Sequence, residues 1–447
     1  MDLTDLHVAP DEDLRRVVVT GVGVVSPIGR SAHEFWLSLT SGRSGLAALP
    51  DAGGESLPTY GGAVADFRGH IDDFGPLPDD LRKQIRKSLK VMNRETQLAV
   101  AAAQQALRDS GLQPEQIDPA RSGVSFGAGY VGIRPDDFLS GVQACRDATG
   151  VPEFADWGEK GVPEVHPLWL LTCLPNMPSC YIAMYNALQG PNNTITLGDA
   201  ATNLAVAEGW HAIREGDADV MVVGGCGHNL DSCSRLHAWH DEDLPFGRND
   251  AATVLRPFDR DRNGTLPAEG AGVLVLEELQ AAQLRGATLY GEIVGAGSSC
   301  VVQGRMPRHG AALVNAMRSA LGSAGCRPES IGHIQAHGHG SWRVDAAEAR
   351  AIRTVFGERT STLPVTAAKS YFGDAGAGSS ALELIAGLLA LKHGRVFPIL
   401  NCERPDPDCP IQTVLARNDP PAAGDCFLKT SVTPQGQAST LVVRRSA

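Results

Sequence analysis

The sequence predicts an α/β protein, and three observations carry that prediction. Short apolar, β-prone runs bounded by glycine or proline alternate with longer runs of helical period. The alternation passes through the chain twice, once before about residue 255 and once after it, although no repeat is visible residue by residue. Within it, residues 190–225, GPNNTITLGDAATNLAVAEGWHAIREGDADVMVVGG, read without interruption as strand, sharp turn, helix and strand.

Taken in order, residues 1–15 form an acidic tail expected to pack loosely. Residues 16–25, RVVVTGVGVV, are a continuous apolar strand of the kind buried on both faces of a sheet. A turn through Ser26 and Pro27 follows, and 33–41 read as helix. Residues 93–111 are an Ala-rich amphipathic helix leading to a strand at 122–127. Residues 130–166 are irregular, rich in Gly, Pro, Asp and Trp, and long enough to suggest a functional or interfacial segment. At the centre, 194–197 is β-prone and Gly198 with Asp199 breaks the run. Leu204, Val206, Ala207 and Trp210 then mark a helix over 200–214, before a buried strand at 217–223. Later strands are expected at 273–276, 290–297, 331–336, 363–367, 427–432 and 440–444, and helices at 311–324 and 379–393.

Composition narrows the function classes. The 447 residues carry 39 Lys+Arg and 51 Asp+Glu, a formal charge of -12, with no basic stripe interleaved with aromatics, so nucleic acid is not an expected partner. The one basic run, RKQIRKSLK at 82–90, reads either as a solvated helix face or as a local docking patch for an acidic partner. The ten cysteines, Cys145, Cys173, Cys180, Cys226, Cys233, Cys300, Cys326, Cys402, Cys409 and Cys426, form no CxxC pair and fit no zinc spacing. That usage predicts a reduced, cytoplasmic protein. The N-terminal residues lack an apolar leader and no run reaches membrane-spanning length, so no membrane association is expected.

A side chain on a tight strand-to-helix turn is held at the helix N-terminus, where amide groups and the helix dipole favour negative charge. Asp199 holds that place. Residues 190–225 resemble the nucleophile elbow of the β-ketoacyl-acyl carrier protein synthases, the condensing enzymes of the thiolase superfamily, whose approximate pattern GPxxxIxTACxSGxxAIGxAxxxIxxGxADVMxAGG fits without a gap. RVVVTGVGVVSPIG at 16–29 and RPFDRDRNGTLPAEGAGVLVLEE at 256–278 are similar to the same family, and the likeness weakens after 423. The resemblance implies a thiolase-like fold, with two similar βαβαβ halves at 16–255 and 256–447 in a five-layered αβαβα core. It also implies that 167–191, with Asn176 and Met177 in register, packs at a dimer interface and reaches toward the neighbour's acyl pocket.

In that family a Cys nucleophile, a His in an HGT motif, a Lys, and a second His in a KxxxGH motif work together. The Cys falls on Asp199 and its neighbouring Gly on Thr202. IQAHGHGSWRVDAAEA supplies His337 at the first His, with His339 and Ser341 where hydroxyl residues would contact a phosphopantetheine arm. AAKSYFGDAGAGSSALE supplies Lys369, and Glu383 at its usual ionic partner, while Asp374 replaces the second His. The glycine-rich loop NSFGFGGTN becomes TSVTPQGQA at 430–438, without the phenylalanine that gates the acyl pocket.

Condensation needs a thiolate to hold the acyl chain, and two neutral imidazoles to stabilise the enolate left when a malonyl unit loses carbon dioxide. An aspartate is a poor nucleophile toward a thioester, since the mixed anhydride lies uphill, and a carboxylate beside a developing enolate repels it. The expectation is therefore a ketosynthase-like subunit that does not condense alone and acts beside an active ketosynthase, as the chain length factors of type II polyketide and fatty-acid systems do. The common chain length factors carry Gln at the nucleophile position, so Asp199 is a departure from them. Two other readings stay open: an enzyme of altered chemistry on acyl thioesters using Asp199, His337 and Asp374, and a homodimeric module binding acyl chains or their carrier. Expected partners are an acyl carrier protein and a ketosynthase-fold chain as heterodimer or homodimer. No tightly bound cofactor or metal is expected, the phosphopantetheine arm serving as substrate carrier. Cys226, just past Gly224 and Gly225, is the thiol nearest in sequence that could face substrate in place of the lost one.

Overall fold

The computed structural model describes residues 14–49, 60–129, 135–231, 233–236, 250–304 and 306–446. The expected tail up to residue 13 and the first residues of the 130–166 segment lie outside the described residues. β1 (Val17–Val25) is buried along its whole length, as an unbroken apolar run requires. Helix α1 (Ala32–Ser41) starts where the Ser31 hydroxyl accepts the Glu34 N–H. Helix α2 (Asp79–Ser88) holds the basic run, anchored by buried Ile85 with Lys83, Arg86 and Lys87 in solvent. Helix α3 (Arg94–Ser110) is capped by Asn93 and stopped by left-handed Gly111. A Cβ on Gly21 or Gly23 would stand 2.3 or 1.9 Å from the Ala106 and Ala102 carbonyls, so the two glycines let the alanine face of α3 lie directly on β1.

The first half continues with β2 (Ser122–Ala128), α4 (Met177–Tyr185), β3 (Asn192–Thr196), α5 (Ala201–Arg214), β4 (Val220–His228) and β5 (Glu269–Glu278). The second half has β6 (Gly291–Cys300), α6 (His309–Ser323), β7 (His333–Gln335), α7 (Trp342–Phe356), β8 (Pro364–Thr366), α8 (Ala377–His393), β9 (Cys426–Val432) and β10 (Gln437–Arg444). Strand order is 3-2-4-5-1 in the first half and 8-7-9-10-6 in the second, the same winding twice, with a two-residue strand, Gln412–Thr413, added outside β8. In each, the first three pairings are parallel, parallel and antiparallel, and the last is antiparallel. The two halves meet edge to edge through three residue pairs, Val17 to Val19 against Ile293 to Gly291.

The layering is α3, the first sheet, α5 with α8, the second sheet, then α6 with α7. This is the expected five-layered αβαβα core. One boundary moves. β5 pairs antiparallel with both β1 and β4, so it completes the first sheet, and the second half begins after Glu278 rather than at 255/256. The expected strand at 217–223 starts only at Val220, because the Ala212 carbonyl accepts the N–H groups of Asp217 and Ala218 in a turn at Gly216, φ 88°. The irregular segment holds short helical turns around Trp157, whose ring would touch a Cβ on Gly141 or Gly161 at 2.8 and 2.3 Å. Among the described residues no helix is long and apolar enough to cross a membrane.

His333 in β7 is fully buried, bonds the Ala423 carbonyl through Nδ1 at 2.8 Å and stacks on Phe427 at 5.1 Å. Burial pushes its pKa down to about 4, against the opposing hydrogen bond. An unfolded chain, with histidine near ~6.5, takes up a proton that the native state refuses. Stability from this residue is therefore complete above about pH 6.5 and falls away as pH drops toward the native value. In urea titrations at pH 7 and pH 5, His333→Phe is expected to lose about 2 kcal/mol less on acidification than the natural sequence.

Candidate functional site

The site residues follow strand ends that point to one region. After β3, Gly198 takes φ 51°, and the turn Gly198–Ala200 runs straight into α5 with Asp199 buried at 7 % exposure. That left-handed turn is the reason glycine stands there. After β7 the chain turns at Gly338, φ 52°, where Glu348 of α7 accepts the N–H groups of His337 (2.9 Å) and Gly338 (3.0 Å). Lys369 follows β8 and is fully buried. Asp374 is held by its backbone to Leu266 and Ala268, and its Oδ1 accepts the Gly376 N–H at 2.7 Å. Asp199 and Asp374 thus precede α5 and α8, the two helices of the central layer, at matching places in the two halves. Both carboxylates lie in the favourable field of a helix N-terminus.

Between them lies one ammonium. Lys369 Nζ is 3.0 Å from Asp199 Oδ1, 3.3 Å from Asp374 Oδ2 and 3.6 Å from Glu383 Oε1. Burial works against its charge, but Asp199, Asp374 and Glu383 together outweigh it and hold the lysine well above its usual range. Each aspartate also has an imidazole. His337 Nδ1 is 4.0 Å from Asp199 Oδ1, His339 Nε2 is 3.8 Å from Asp374 Oδ2, and the two rings are nearly parallel at 5.7 Å. Burial first, then Lys369 and His339, pushes His337 well below the ordinary histidine value, so it is neutral.

The five family positions Asp199, His337, Lys369, Asp374 and Glu383 therefore come together, as does His339. Ser341 is spent elsewhere: its hydroxyl caps α7 by accepting the Val344 N–H at 3.2 Å. Cys226 is a correction. Along β4, Met221 and Val223 face the central layer, whereas Val220, Val222 and Cys226 face α3, because side chains alternate across a strand. The Cys226 thiol lies on Glu95 at 3.4 Å, and burial, followed by that carboxyl, pushes its pKa well up. It is a neutral thiol on the far face of the sheet from the ion-pair cluster.

The replaced loop is a closed hairpin. β9 and β10 stay paired up to Val432 and Ala438, and a turn of Thr433 to Gly436 closes with the Gly436 N–H on the Thr433 carbonyl at 2.9 Å. One glycine of positive φ is kept there, Gly436 at 90°. β10 touches the central turn, since the Ser439 hydroxyl donates to the Ala200 carbonyl at 3.0 Å. Thr202 fills the position next to Gly225, where a Cβ would lie 2.0 Å from its hydroxyl, and that hydroxyl donates to the Ala377 carbonyl at 2.7 Å.

Two members of the cluster escaped the sequence reading. Lys429 of β9 is fully buried with Nζ 2.7 Å from Glu383 Oε2, and Glu348 fixes the His337 turn while accepting the Thr430 hydroxyl at 2.6 Å. Burial pushes Glu383 up and Lys429 down, a desolvation cost that their mutual contact offsets only in part. The available signals were a lysine inside the buried strand CFLKTSV and a glutamate on the alanine-rich inner face of α7.

Comparison with known proteins agrees with this geometry. Residues 14–282 match the family model "Beta-ketoacyl synthase, N-terminal domain" and residues 290–403 match "Beta-ketoacyl synthase, C-terminal domain". The chain is 31% identical to the 3-oxoacyl-[acyl-carrier-protein] synthase 2 of Synechocystis sp. over 90% of this chain and 91% of that one. The solved ishigamide ketosynthase/chain length factor is 30% identical with a TM-score of 0.81, covering 97% of this chain and 100% of that one. A ketosynthase solved bound to a hexaketide, in complex with its type II acyl-carrier protein, is 27% identical with a TM-score of 0.80 and the same coverages. The chain belongs to the beta-ketoacyl synthase family.

Proposed function

We propose that the chain is a non-condensing ketosynthase-type subunit of type II polyketide or fatty-acid synthesis, which works in the cytoplasm beside a Cys-containing ketosynthase and shapes the acyl tunnel of that partner. The observation that carries the reading is the Lys369 ammonium lying 3.0 and 3.3 Å from carboxylates at the positions of the family's nucleophile and second histidine. In this reading the ion pair stands where an acyl thioester and its enolate would form. The substrate carrier in this reading is the phosphopantetheine arm of an acyl carrier protein, and the exposed basic face of α2 is its proposed landing place.

Support for a ketosynthase-fold partner comes from the surface. β3 is the outer edge of the first sheet, with β2 on one side only. Close by in sequence, Leu139, Phe154, Val162, Leu168, Leu170 and Met184 are all large, apolar and exposed. An edge strand accompanied by exposed apolar side chains suits a second chain of the same fold. Co-expression with the Cys-containing ketosynthase of the same system should yield a stable pair, read by light scattering. Leu170→Asp with Met184→Arg should weaken association at least about tenfold. A chain that stays monomeric beside every ketosynthase of its own system would remove the reading.

A further inference from the structure

We infer that Lys429 is a positioning residue: by taking Glu383 as its partner, it leaves Lys369 free to hold Asp199 and Asp374. The family resemblance makes Glu383 the ordinary partner of Lys369. Here that glutamate has moved its allegiance, 2.7 Å from Lys429 and 3.6 Å from Lys369. Lys429 is aimed at it by two further contacts, the carbonyl of Thr430 and the hydroxyl of Ser431 at 2.8 Å. Lys369 is left with its shortest contact on Asp199 and the next on Asp374.

Charge counting gives the reason. Asp199, Asp374 and Glu383 are three buried carboxyl groups around Lys369, and all four residues are under 8 % exposed. One ammonium shared among three such groups leaves buried charge uncompensated, which is costly in a weakly screened interior. Lys429 supplies the second cation, in contact with Glu383. The row then runs two aspartates, lysine, glutamate, lysine, so every carboxylate has an ammonium neighbour and the excess of negative charge falls from two to one. The inference does not rest on the partner reading, since a chain that condensed unaided would hold the same row.

A thiol placed at position 199 reports where Lys369 sits, because a nearby ammonium favours the thiolate. In Asp199→Cys, the thiolate absorbance near ~240 nm, taken as a difference from the natural sequence, should titrate below the free-cysteine value of about 8.5. Adding Lys429→Met should raise that midpoint by about one unit, a tenfold loss of thiolate at neutral pH, as Lys369 swings to Glu383. Adding Glu383→Gln as well should bring the midpoint back, and Lys429→Arg should leave it in place. An unmoved midpoint with Lys429→Met, or no return with Glu383→Gln, overturns the inference. Should the Lys429→Met chain fail to fold by circular dichroism, folding restored by Glu383→Gln supports the same balance, and failure of both chains overturns it.

Discussion

Asp199→Cys alone is expected to leave the chain unable to condense acyl units, even though it returns a sulfur to the central turn. The substituted thiol can be acylated, and intact mass after incubation with an acyl-carrier protein should show the adduct. The next step needs two neutral imidazoles around the enolate oxygen, and of the family's two histidine positions only that of His337 carries one. Asp374 stands at the other position, 3.3 Å from Lys369, and a carboxylate there repels developing negative charge. Loss of a single oxyanion donor costs about 10²–10³ in rate, and replacing the donor with a carboxylate costs at least as much. Chromatography with mass detection of the β-ketoacyl product should therefore show nothing from the single variant and a gain of about 10²-fold from Asp199→Cys with Asp374→His. Equal rates from the single and double variants would show that Asp374 is not the obstacle.

The largest effect on stability is expected at Lys369. Its replacement by methionine leaves Asp199 and Asp374 buried without their common cation, and breaking a buried pair in this way costs about 3–5 kcal/mol. Denaturant titration of Lys369→Met should show that loss. Combining it with Asp199→Asn and Asp374→Asn removes the stranded charges and should recover most of it. Equal losses in the single and triple variants would mean that the lysine contributes by packing its alkyl stem rather than by charge.

Much of this was legible in the sequence, for reasons that differ from residue to residue. β1 and the central turn could be read because a strand buried on both faces needs an unbroken apolar run, and because Gly198 marks a backbone turn that other residues rarely make. The cluster at Asp199, His337, Lys369, Asp374 and Glu383 was legible only through the family pattern, since nothing local says that 199 and 369 meet. Sheet membership was harder. β5 is apolar in either half, and only its pairing with β1 and β4 assigns it to the first. Cys226 was misread because nearness in sequence says nothing of which face a strand residue occupies, although counting in twos from Met221 and Val223 would have turned it away. Lys429 was missed because its partner, Glu383, is brought to it by the fold and not by any motif.

The repeated strand order has one more consequence. Each half contributes one inner helix, and the acidic residue ahead of each is clasped by a single amine, so the two copies of the duplicated fold are riveted at their pseudo-axis as well as along a seam only three residue pairs long. The clasp ties the two copies together across the central layer, and neither copy can drift from the other without first exposing it.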